Sequence, residues 1–104
     1  AAGRWHTLTL AEQLGNIGSE VSRAEKWQKK DQKLFWGAVD RALELFDLTL
    51  EDPRLKESSL LEIGRAREVF CDMVFGESEY KSTLKDLGRY LDQFAYAARL
   101  KANF

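Results

Sequence analysis

Glu44 and Asp47 stand one helical turn apart in the run Glu44-Leu45-Phe46-Asp47. That is the spacing at which helical metal-dependent enzymes acting on nucleotides present carboxylates to Mg²⁺. A working site of that kind needs further carboxylates from a facing helix, and Glu12, Glu20, Glu68 and Asp72 are the ones in helical segments. A hydrolase of a nucleotide or other phosphorylated small molecule is therefore one alternative, and a solvated acidic stripe is the simpler one. His6 is the single histidine, which excludes a His-rich zinc site and the Glu-x-x-His pattern of di-iron bundles. Cys71 with His6 would be a thiol nucleophile and its base, but a thiol on an apolar helical face reads as core. Gly15 and Gly18 lie inside a helical pattern, not after a strand, so no phosphate loop is present and no cofactor is expected.

The strongest anomaly is Arg67, which projects from an apolar arc made of Leu60, Ile63, Ala66, Phe70, Cys71, Met73 and Val74. A guanidinium cannot shed its charge, so burial there demands a carboxylate partner. Glu20, Arg23, Arg41, Glu44, Asp47 and Arg67 are expected to form one charge network drawn from three helices, and that network is the candidate ligand site. Structural ion pairing is its plainer use. If Arg67 is fully buried, Arg67→Ala should cost about 3 to 5 kcal/mol.

Four helices suffice to position these groups, over residues 10–30, 32–51, 60–75 and 84–101. Thr9-Leu10-Ala11-Glu12 and Ser59-Leu60-Leu61-Glu62 read as capping boxes, Asp31 as an N-cap and Gly76 as a C-terminal signal. Pro53 stops the second helix near Asp52, and the last begins at Ser82 or Thr83 with Asp86 in its first turn. Leu10, Leu14, Ile17, Val21 and Ala24 form one narrow seam, and Leu84, Leu87, Leu91, Phe94 and Ala98 form another. Gly15, Ser19 and Ser22 make a strip of small residues that reads either as surface or as a second packing face. In contrast, the apolar residues between Leu34 and Leu50 cover roughly 240° of their helix, far beyond the usual stripe. Such a helix needs neighbours on several sides, and its rims at Trp36 and Leu48 are the expected interface. Trp5, Trp27, Tyr80, Tyr90 and Tyr96 also fall near helix edges or chain ends, where aromatics complete cores or anchor partners.

The 104 residues match one domain, and 44% hydrophobic with 32% charged residues is an ordinary globular composition. A formal net charge of −1 supplies no long-range attraction for phosphate backbones, so nucleic acid is not an expected partner. The single cysteine, with no apolar run of about 18 residues and no signal-like segment, leads to the expectation of a cytoplasmic protein away from membranes.

The run Trp5-His6-x-Leu8-Thr9, followed by Glu12-Gln13-Leu14-x-Asn16-Ile17-Gly18-Ser19-Glu20-Val21-x-Arg23, resembles a family of short uncharacterised prokaryotic helical proteins. Arg41 to Asp47 and Arg67-Glu68-Val69 extend the likeness over most of the chain. That family implies no activity. In architecture alone the pattern looks like the HEPN superfamily, whose members accompany nucleotidyltransferases or act as ribonucleases. Their signature, an arginine followed four to six residues later by histidine, is missing, because His6 follows Arg4 by two. The resemblance thus implies at most a non-catalytic partner. The expectation is an all-α antiparallel four-helix bundle in a single domain, self-associating and binding a protein partner without catalysis.

Overall fold

Caps written into the sequence decide where three of the four long helices begin. The computed structural model describes residues 2–76 and 83–101, which form α1 (Ala2–Trp5), α2 (Leu10–Trp27), α3 (Gln32–Leu50), α4 (Glu57–Phe75) and α5 (Leu84–Lys101), with no strand among the described residues. Thr9 and Glu12 form the expected capping box: the Glu12 amide donates to Thr9 Oγ1 at 3.1 Å, and the Thr9 amide to Glu12 Oε1 at 2.9 Å. Asp31 caps α3 by accepting from the Leu34 amide at 3.0 Å. Thr83 and Asp86 exchange the same reciprocal pair at the start of α5. Tyr80 and Ser82 lie outside the described residues.

Two boundaries differ from the expectation by three residues, and one element is added. α2 ends at Trp27, three residues short, in a turn closed by the Lys30 and Asp31 amides donating to the Trp27 carbonyl. The Ser59–Glu62 box does not form, because α4 starts earlier, at Glu57, with Lys56 at its cap and no side-chain bond there. Glu62 instead reaches Tyr90 on α5. The short helix α1 is a further element, carried by four residues with no periodic pattern long enough to announce it.

Packing places α2 at the centre. It makes the most extensive contacts, with α5 on one side and α3 on the other, while α4 touches α3 and α5 more lightly. Leu14, Ile17, Val21 and Ala24 are fully excluded from solvent and meet Phe46, Val39, Ile63, Phe70 and Leu91 in one core. The wide apolar arc of α3 is only partly used: Phe35, Ala38, Val39, Ala42, Phe46 and Thr49 are buried, Leu43, Leu45, Leu48 and Leu50 half-buried, and Leu34 and Trp36 exposed.

The strip of small residues divides in the same way. A Cβ on Gly18 would meet Leu91 Cβ at 3.8 Å and Asp92 Oδ1 at 3.2 Å, and one on Gly88 would meet Ser22 Oγ at 3.5 Å, so Gly18 and Ser22 form the face on which α5 rests. Gly15 meets nothing within 4 Å. Glycine in a helix interior costs roughly 0.5 to 1 kcal/mol relative to alanine. Gly15→Ala is therefore expected to stabilise the fold by about that amount, while Gly18→Ala gains less because Asp92 must move. Urea unfolding midpoints of the two variants check the order.

Candidate functional site

Five of the six residues of the expected network fall into two groups. Glu20 is buried on α2, and its Oε1 accepts from Arg23 at 2.8 Å while Oε2 lies 3.9 Å from Arg41 Nε on α3. Further along α3, Asp47 receives Arg67 of α4 in a forked contact, with Nε to Oδ1 at 2.8 Å and Nη2 to Oδ2 at 3.5 Å. Nη1 of the same guanidinium contacts Cys71 Sγ at 3.7 Å. Arg67 thus finds the carboxylate that its position required, but on a half-open flank: its side chain keeps 34% of its surface and that of Asp47 keeps 55%. Arg67 is held charged, first by its bond to Asp47.

Glu44 is exposed and joins neither group. The paired carboxylates of a Mg²⁺ site are thus separated in role, because Asp47 is engaged by Arg67. Among the described residues no three His, Cys, Asp or Glu side chains converge into a metal-binding group.

The most enclosed polar cluster involves residues outside that list. Asp52, just past the end of α3, is buried together with Gln13 of α2 and Thr49 of α3. Its Oδ2 accepts from Arg54 Nη2 at 2.7 Å and from Gln13 Nε2 at 3.0 Å, and its Oδ1 accepts from the Arg54 amide and Nε, both at 3.0 Å. Gln13 Nε2 also faces the Trp5 carbonyl at 3.1 Å and the Leu8 carbonyl at 3.4 Å, and Arg54 Nη2 donates to Leu8 at 2.7 Å. Trp5 Nε1 donates to Thr49 Oγ1 at 3.0 Å, and His6 Nε2 lies 2.9 Å from the Leu48 carbonyl. His6 therefore clasps the segment after α1 to α3. The cluster ties α1, the start of α2, the end of α3 and the following loop together. One sign of it was readable: Gln13 is a polar amide in the seam of Leu10, Leu14 and Ile17.

No family model, curated protein or solved structure matches this chain. The geometry alone carries the functional reading.

Open hollows lie between the helix ends and flanks. An open groove of about 290 Å³ runs between α4 and α5, floored by Ala66, Val69, Met73 and Leu87 and edged by Glu62, Arg65, Asp86 and Tyr90. A second open cleft of about 540 Å³, where the end of α2 meets the start of α5, gathers Lys26, Lys29, Lys30 and Lys85. Of the expected interface residues, Trp36 stays 38% exposed and stacks on Phe75 at 5.5 Å, whereas Leu48 is half-covered and its carbonyl accepts His6 of the segment after α1.

These assignments set two expectations. Because both members of the Arg67–Asp47 pair keep access to water, Arg67→Ala should cost about 1 kcal/mol, diminishing with added salt, in place of the larger penalty of a buried pair. Guanidinium-free urea titrations at low and high salt measure it. For Asp52, the Arg54 guanidinium first, then the Arg54 amide and Gln13, hold the carboxyl well below its ordinary range, against the opposing effect of burial. A carboxyl depressed on folding stabilises the protein above its unfolded pKa near 3.9, and that contribution drains away as pH falls below about 4. Asp52→Asn should cost about 1 to 3 kcal/mol at neutral pH, because it sets an amide N–H against the donors around it, and should flatten the loss of stability in acid.

Proposed function

We propose that this chain is a non-enzymatic helical interaction module that self-associates, with α2, α3, α4 and α5 arranged as an antiparallel four-helix bundle. The order of contacts supports that arrangement: α2 lies against α3 and α5, and α4 against the same two helices. The connections spanning residues 28–31 and 51–56 are short enough to reverse the chain between neighbours.

One observation carries the functional part, the division of labour between polar and apolar surface. The candidate charges Glu20, Arg23, Asp47 and Arg67 satisfy one another, and no three His, Cys, Asp or Glu side chains converge on a metal-binding group among the described residues. Large apolar side chains meanwhile stay open to water: Leu61 at 68%, Phe75 at 60%, Tyr96 at 61% and Leu100 at 69%. Single exposed apolar residues are commonplace, but here they accompany an apolar groove, and that combination marks interaction surfaces.

The metal-dependent hydrolase is the weaker reading, since Asp47 is engaged by Arg67 and Glu44 stands apart. A non-catalytic partner of a nucleotidyltransferase remains compatible with the resemblance in architecture, without an observation of its own. A cytoplasmic setting belongs to the same proposal. It is in keeping with the free Cys71 and with the finding that no described helix is long and apolar enough to cross a membrane.

Light scattering at about 100 μM tests self-association. A mass that is a multiple of 12.0 kDa is expected. A monomer mass at that concentration overturns it.

A further inference from the structure

Half of the chain's eight lysines line one cleft. Lys26, Lys29 and Lys30 from the end of α2 and Lys85 from the first turn of α5 surround the open hollow of about 540 Å³ where the two helices meet. Glu25 is the single carboxylate in its lining, so four ammoniums face one opposing charge. The net charge of −1 hides this local excess. Other cations of the chain are paired: Arg23, Arg41, Arg54 and Arg67 each reach a carboxylate within 3.9 Å. None of the four lysines is in an ion pair among the described residues.

The acidic residues nearest to them in sequence are engaged as helix caps. Asp31 accepts from the Leu34 amide at the start of α3, and Asp86 accepts from the Thr83 amide at the start of α5. Lys26 is also held over the Trp27 ring, 5.0 Å from its centroid, which fixes one ammonium of the set. Like charges gathered with so little counter-charge repel one another, and an anion seated between them relieves that repulsion.

We infer that this cleft binds a small oligophosphate, an anion of two or three linked phosphate groups. Its positive excess calls for several negative charges within one small volume, and linked phosphates supply them. Lysine suits such a ligand, because a compact ammonium meets phosphate as a point charge. The Thr83 hydroxyl lines the same cleft, and while its oxygen accepts from the Asp86 amide at 3.3 Å, its hydrogen is left to donate to a phosphate oxygen. The volume lies within the range of small-molecule sites, about 300 to 1,000 Å³. No aromatic ring is among the described residues lining it, so it offers no face on which a nucleic-acid base would stack. An acidic peptide brings at most one charge per about 3.3 Å of extended chain and meets the four ammoniums less densely.

The test titrates inorganic tripolyphosphate into the full chain at low salt, reading heat by calorimetry and amide shifts by NMR. Saturable binding is expected, moving the amides of Lys26 to Lys30, Leu84 and Lys85 and weakening as salt is added. Lys29→Gln with Lys85→Gln, both side chains being exposed, should lower the affinity about tenfold. Arg4→Gln with Lys56→Gln makes the same change of net charge at exposed positions outside the cleft, and should alter the affinity by less than about twofold. No binding at millimolar tripolyphosphate, shifts centred elsewhere, or an affinity that the two double variants lose equally or not at all overturns the site. Binding of inorganic monophosphate, a hexaglutamate peptide or an RNA homopolymer as tight as that of tripolyphosphate overturns the ligand class. These readouts do not depend on the oligomeric state, which light scattering measures separately.

Discussion

Everything in this molecule is arranged around one helix that has to be covered on two sides. α2 buries Leu14, Ile17, Val21 and Ala24 completely, yet it also buries Gly18 and most of Glu20, positions that lie away from the centre of that seam. A helix covered so widely needs small residues where a second neighbour comes close, because interhelical distances of about 8 to 10 Å are set by the side chains at the contact. Gly18 and Ser22 on α2 and Gly88 on α5 supply that close approach. Larger residues there would push α5 outward and open Leu87, Leu91 and Ala95 to water.

Apolar packing of this kind is poorly directional, and the ends of the helices are fixed by something more specific. The Gln13–Asp52–Arg54 cluster provides it, since each donor has an acceptor at a defined angle and the carboxylate receives four hydrogen bonds from two residues. Gln13 Oε1 is left buried with no partner among the described residues. Turning the amide over would not help, because Nε2 already faces the Trp5 and Leu8 carbonyls and Asp52, all of them acceptors. One orphaned oxygen is thus the cost of satisfying the acceptors that surround the amide. The same cluster brings Trp5 and His6 over Leu48 and Thr49, which is why the rim of α3 at Leu48 is closed by the chain's own first helix and the segment after it.

How much of this was legible follows from the range over which each signal acts. The four long helices, the Thr9–Glu12 box and the Asp31 cap depend on residues within a few positions of one another, and the structure carries them, with the end of α2 and the start of α4 each moved by three residues. So does the need of Arg67 for a carboxylate, which follows from charge alone. Which of several acidic residues would answer, and how open to water the pair would be, depends on helix rotation and depth, and neither is encoded in periodicity. Glu20 and Asp47 therefore fell into one expected network although they belong to separate pairs. α1 and the Asp52 cluster escaped for the related reason that the bonds joining them to the rest of the fold cross 39 to 46 residues of sequence. The apolar arc of α3 is only partly covered, which was not legible because pattern counts apolar residues without telling which neighbour covers them.

The same distinction explains why α4 leaves a groove. On its α3 side, part of the contact is made by Arg67 reaching to Asp47, and on its α5 side by the Tyr90 hydroxyl donating to Glu62. Both links hold over the ordinary pH range on the phenol and guanidinium side: burial first, and the bond to Glu62 second, push the Tyr90 hydroxyl upward, while Asp47 does the same for Arg67. Long polar side chains meeting tip to tip span more distance than interleaved aliphatic ones, so they join α4 to its neighbours without drawing the helices into full contact. Only Ile63, Ala66 and Phe70 of its nineteen residues are buried, and the apolar flank formed by Val69 and Met73 is left beside Leu87 with room between them. An ion pair and a phenol–carboxylate bond, chosen where aliphatic packing would have closed the gap, keep an apolar surface available on an otherwise well-packed protein.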